Sequence, residues 1–150
     1  MLFNTKIGGE KYFMDDEKWW KRLKPLRIAP NWKVMWNKLE DIEPDYTDPD
    51  NDAWLFIFLE DMVYITTEYT YKKDKKTIKR TLAIDLGWYP DGDIKGSYRL
   101  VAILDDHWNK PILELKTRST QEVGDTMELW MFETFADWKN TYPEDKEETI

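Results

Sequence analysis

From Met62 to Thr117 the chain repeats one pattern: apolar and polar residues alternate along a run, and a short polar turn reverses it. Val63, Ile65, Thr67, Tyr69 and Tyr71 alternate with a more polar set, and Lys72-Lys-Asp-Lys-Lys76 supplies a charged turn. Thr77 to Trp88 returns with Ile78, Leu82, Ile84 and Leu86, and the loop Tyr89 to Gly96 leads into a run from Ser97 to Leu104. Asp105 to Lys110 then precedes a last run, Pro111 to Thr117. Period-two alternation sets one side of each run against a core, as in half-buried strands. Turns this short cannot carry a parallel crossover, so an antiparallel meander is expected.

Ser119-Thr-Gln-Glu122 has the spacing of a capping box, in which the serine oxygen and the glutamate each satisfy helix-terminal amides. Beyond it Val123, Met127, Trp130, Met131, Thr134 and Trp138 fall on one helical face, and Asn140 and Pro143 mark the stop. A helix with one apolar stripe must bury it, and the sheet is the surface at hand. The expected fold class is α+β: an antiparallel β-meander sheet with a short N-terminal helix and a C-terminal amphipathic helix packed on it. Asp15 or Asp16 is the expected cap of the N-terminal helix, which holds Glu17, Trp19, Trp20 and Leu23 and stops at Pro25. Trp32, Val34 and Trp36 alternate with Lys33, Met35 and Asn37 as a further strand, and Ala53 to Leu59 has the length of a buried one. Residues 1–14, broken at Gly8-Gly9, read as a mobile lead-in or short strand, and residues 143–150 as a mobile acidic tail.

At 150 residues a single domain over 1–150 is expected, and nine tryptophans in a chain with 15% aromatic residues argue for an ordered core. The net charge of −8 disfavours nucleic acid and anionic membranes as partners. Without cysteine there are no disulfides and no thiolate zinc sites, a composition compatible with a reducing cytoplasm. No targeting segment or membrane span is visible, and a soluble cytoplasmic protein is the default.

Between Lys38 and Glu68 stand ten carboxylates and one positive charge. Most of the acids fall from Leu39 to Asp52, a loop with Pro44 and Pro49, and Ile42, Tyr46 and Trp54 are interleaved with them. Acids with apolar anchors suit a basic protein surface, although a solvated loop without a partner explains the same run. Catalytic chemistry is sparse. His107 is the only histidine and reads as an exposed turn residue among Asp105, Asp106 and Trp108. Asp91-Gly-Asp93-Ile-Lys95-Gly96 begins like a calcium loop, but Lys95 and Ala102 occupy places where an oxygen ligand and a bidentate acid belong, so a hairpin turn is expected. The basic run Lys72 to Arg80 suits a solvated turn, and the tryptophans are explained first by packing. No enzyme activity, cofactor or metal is expected.

Ala83-Ile-Asp-Leu-Gly-Trp-Tyr-Pro-Asp-Gly-Asp-Ile-Lys-Gly-Ser-Tyr-Arg-Leu100 continues through Trp108-Asn-Lys-Pro-Ile-Leu-Glu-Leu115 to Thr117-Arg-Ser119 and the C-terminal helix. Together these segments resemble small immunity proteins encoded beside bacterial polymorphic or contact-dependent toxins. The likeness covers the second half of the chain. It implies a non-catalytic protein that binds a cognate toxin domain tightly and blocks its active site or substrate access. A nuclease toxin with a basic cleft fits an acidic inhibitor. The expected contact surface is Glu40, Asp41, Glu43, Asp45, Tyr46, Asp48, Asp50 and Asp52. A second patch is Trp88, Tyr89, Asp91 and Asp93, with His107 and Trp108 near it. Two alternatives stand beside this reading: a generic interaction or regulatory domain, and a carbohydrate-binding module or weak hydrolase that uses tryptophans and carboxylates.

Overall fold

The structure, a computed structural model, describes residues 4–7, 10–13 and 19–143. A two-stranded antiparallel hairpin joins β1 (Asn4–Ile7) to β2 (Glu10–Phe13). The expected cap at Asp15 or Asp16, Glu17 and the tail from Glu144 lie outside the described residues. Trp19–Arg22 forms one turn of 3-10 helix, and Leu23, expected in the helix, instead forms a β-bridge.

The alternating runs form a five-stranded antiparallel sheet in chain order: β3 (Lys33–Asn37), β4 (Val63–Lys73), β5 (Lys76–Tyr89), β6 (Ser97–Leu104) and β7 (Leu113–Thr117). With the helices this is the α+β class. Period two sorts the first half of β4 cleanly, while β3 is exposed on both sides and β5 and β6 bury residues on both faces. Val63, Ile65, Leu82, Ile84, Leu86, Trp88, Tyr98, Leu100 and Ala102 belong to one buried cluster on the inner face. The C-terminal helix supplies Val123, Met127, Trp130, Met131, Phe135 and Trp138 to that cluster. Burying side chains of this size contributes about 2 kcal/mol each, so the pairing of helix and sheet dominates stability.

The helical stripe departs from its expected face at one place. α2 (Thr120–Leu129) passes into a π turn, Trp130–Thr134, where the Phe135 N–H donates to the Trp130 carbonyl at 2.9 Å. The extra residue rotates the following chain, so Phe135 is buried where Thr134 was expected and Thr134 faces solvent. Trp138, at the start of the last helical turn, is buried as expected.

Ala53 to Leu59 is not a strand. Ala53–Phe56 is a helical turn, α1, with Ala53, Trp54, Ile57 and Phe58 buried and Leu55 and Phe56 exposed. An unbroken apolar run has no period, so strand and helix look alike in it. The Asn51 side-chain oxygen accepts the Ala53 N–H at 2.9 Å at the start of the turn.

Candidate functional site

The acidic segment is packed down along part of its length. Leu39 is fully buried, Leu23 and Glu40 form a β-bridge, and the Asp41 N–H donates to the Arg22 carbonyl at 2.8 Å. Glu40 faces Arg22 with only 13% of its side chain exposed. Glu43 turns to the start of α2, where its two oxygens accept the N–H groups of Thr120 and Gln121 at 2.7 and 2.9 Å. Glu40, largely buried, is corrected from a contact residue to a structural one, while Glu43 caps the helix and stays exposed. A helix N-terminus leaves N–H groups unsatisfied and carries partial positive charge, which a carboxylate answers. Ser119 accepts the Glu122 N–H as the capping box requires, while Glu122 meets the Thr117 hydroxyl and Glu43 takes the next donors.

Farther along, the acids serve their own loop. Asp45 accepts from the Thr47 backbone and hydroxyl, which lowers its pKa, and Asp48 accepts the Asp50 N–H. Asp41, Asp45, Asp48 and Asp50 keep solvent access, Asp52 less, and Tyr46 lies against Trp54 and the Arg118 guanidinium. In the second patch Trp88 has no exposed surface and donates its indole N–H to the Asp93 carbonyl at 2.7 Å. It is inner-face core and cannot meet a partner, a second correction. Asp91 accepts the Glu60 N–H and Asp93 the Lys95 N–H, so both carboxylates shape their turns. His107 is exposed.

The sheet's outer face is where uncommitted chemistry gathers. Register aligns Trp36, Tyr64, Asp85, Val101 and Glu114, one residue from each strand. A shift of register between Val34 and Trp36 puts Trp36 opposite Tyr64, as a β-bulge re-aims a side chain. The two rings stack at 4.8 Å and 19°. On the other flank Trp108 lies nearly parallel to Tyr64 at 6.0 Å. The turn that carries Trp108 is clamped by Asp105, whose carboxylate accepts from Arg80 Nε at 2.8 Å and from the Thr81 N–H at 3.1 Å. Ala83, Val101 and Ile103 are buried beneath these rings.

At the opposite end of the face, Gly87 makes room for a crossing. A Cβ there would run into the Glu60 carbonyl oxygen and come within 2.7 Å of the Tyr89 ring. The chain at Glu60 therefore passes over β5, and the Tyr89 hydroxyl donates to the Glu60 carbonyl at 3.3 Å. The result is a groove of about 480 Å³ lined by Trp36, Asp61, Tyr64, Asp85, Tyr89, Arg99 and Trp108. Burial, helped by the charge of Asp61 and opposed by Arg99, raises the Asp85 carboxyl to about 6. Arg99 is directed to Glu114, with Nη2–Oε2 at 2.9 Å. Of the residues expected at the contact surface only Tyr89 lines this groove, with Trp108 from the expected neighbourhood. Asp85 had a signal in the sequence, a lone carboxylate inside the apolar run Leu82 to Trp88.

Among the described residues no group of three or more histidine or carboxylate side chains is placed to hold a metal, and no helix is long and apolar enough to cross a membrane. No protein-family model matches the chain, and no curated protein or solved structure matches it.

Proposed function

We propose that this protein is a non-catalytic binding module, acting as an immunity protein that occludes a bacterial toxin domain with a basic surface. The observation that carries the reading is the outer sheet face. One side of the sheet is roofed by helices and loops, while the other presents Trp36 and Trp108 at 40% and 46% exposure above a buried apolar floor. Exposed aromatic anchors around a desolvated centre are the composition of binding hot spots. The carboxylates at Asp61 and Asp85 suit a basic partner, and the net charge of −8 favours electrostatic steering toward it. The segments that resemble immunity proteins contribute Asp85, Tyr89, Arg99 and Trp108 to this face, which joins the resemblance to the geometry.

Sugar binding gains less from the same residues. A saccharide stacks on an open ring face, and Tyr64 is held between Trp36 and Trp108 with its faces turned to them.

Co-expression with the C-terminal domain encoded by the neighbouring gene tests the proposal. Survival together with a one-to-one complex is the expected result. If the neighbouring domain kills alone and neither rescue nor a complex is seen, the immunity reading is wrong.

A further inference from the structure

The groove holds negative charge that the protein answers only in part. Among the described residues the side chains of Asp61 and Asp85 make no hydrogen bond and no ion pair. Arg99, the one cation on the lining among the described residues, is occupied by Glu114 through Nε at 3.1 Å and Nη2 at 2.9 Å. Asp85 sits in register between the ring of Tyr64 and the side chain of Val101, so water reaches it poorly. Burial is the main cause of its raised proton affinity, and the Asp61 charge adds to it against the opposing Arg99. A half-desolvated carboxylate beside aromatic rings is complementary to an organic cation, whose charge can meet both the carboxylate and the π faces.

We infer that this groove receives a lysine or arginine side chain of the partner protein, with the cationic head against Asp85 and Asp61 and the stem along Tyr89 and Trp108. The inference rests on the protein-binding reading above and specifies its chemistry. A hard metal ion is a poorer occupant, because calcium takes six to eight oxygen ligands and magnesium six, and the walls here are mainly aromatic. An anion meets two carboxylates and an arginine already paired. An uncharged apolar side chain would bury Asp85 further with nothing to offset its charge.

The test uses the full chain alone, titrated with N-acetyl-arginine amide, N-acetyl-lysine amide and N-acetyl-norleucine amide, and follows the indole N–H resonances of Trp36 and Trp108. Saturable shifts are expected with the two cations, with binding of the neutral norleucine probe about tenfold weaker. Asp85→Asn should weaken cation binding by about tenfold, and Asp74→Asn in the turn between β4 and β5 should leave it unchanged. Asp61→Asn serves as a second variant, and circular dichroism checks that each folds. Equal binding of the norleucine probe, no saturable shift with either cation, or cation binding indifferent to both groove variants would overturn the inference. Co-purification with the C-terminal domain encoded by the neighbouring gene separates the two levels. Capture that survives Asp85→Asn while the cations fail to bind would retire the cation site and keep the binding module. Cation binding without any capture or rescue would do the reverse.

Discussion

The carboxylate of Glu43 accepts the backbone N–H of Thr120 at 2.7 Å, across 77 positions of sequence. Through it the acidic loop caps the helix that covers the sheet, and the Thr120 hydroxyl returns a bond to the Ile42 carbonyl at 2.7 Å. Glu43→Ala is therefore expected to destabilise the protein by about 1–2 kcal/mol, as loss of a good helix cap does. Asp50→Ala, on the exposed part of the loop, should stay within about 0.5 kcal/mol. Urea unfolding of both variants measures the difference, and equal midpoints would show that the cap contributes nothing special.

Asp85 makes stability depend on pH in an identifiable direction. Its carboxyl has a folded-state pKa raised from 3.8 to about 6, so the folded protein holds a proton that the unfolded chain has lost over that window. Its contribution is fully present below 3.8 and is lost as pH rises through about 6. A shift of that size in a dry site is worth about 3 kcal/mol, and solvent access here reduces it to about 1 kcal/mol. Asp85→Asn should then be more stable than the parent at neutral pH, with the gap closing toward pH 4. Thermal melts across the range would expose a constant gap, which is the contrary outcome.

Trp108 reaches the groove because its turn is tied to β5 through Asp105 and Arg80. The Arg80 side chain is 4% exposed, and its guanidinium Nη2 lies 2.8 Å from Asp105. Asp105→Ala should cost about 3 kcal/mol, since it strands a buried cation, whereas the double variant with Arg80→Met should recover part of the loss. A double variant no better than Asp105→Ala would mean that the acid's bonds to the Thr81 backbone matter more than the ion pair.

Gly87 lets the Glu60 segment cross β5, so Gly87→Ala is expected to lower stability by about 1–3 kcal/mol through overpacking against backbone. It should also displace Tyr89 and Asp61 from the groove, visible as chemical-shift changes at both. A variant with native stability and native shifts would show that the crossing yields easily.

Steering and anchoring should separate kinetically once a toxin partner is in hand. Reversing Asp45, Asp48 and Asp50 to lysine together is expected to slow association by about tenfold at low salt with little change in dissociation. Trp108→Ala should act mainly on dissociation. Surface plasmon resonance distinguishes the two. Faster dissociation in the charge-reversed variant would move the contact surface back to the acidic loop.

What the sequence alone determined was the local part of the fold. Strands β4 to β7, their order and their antiparallel sense follow from alternation and short turns, β3 follows from alternation alone, and Ser119 marks the start of α2; each of these signals lies within a few neighbouring residues. Tertiary structure decided the rest. The fate of Ala53–Phe56, the π turn that exchanges Thr134 for Phe135, and the recruitment of Glu43 as a cap all depend on what distant chain lies alongside. The groove is the strongest case. Asp85 is one acid among thirty in the sequence, and it becomes distinct only when register sets it between Tyr64 and Val101. Alternation says that a strand has two faces, but which face the remaining chain covers is a matter of long-range packing, and that choice left Trp36, Asp85 and Trp108 together on the open side.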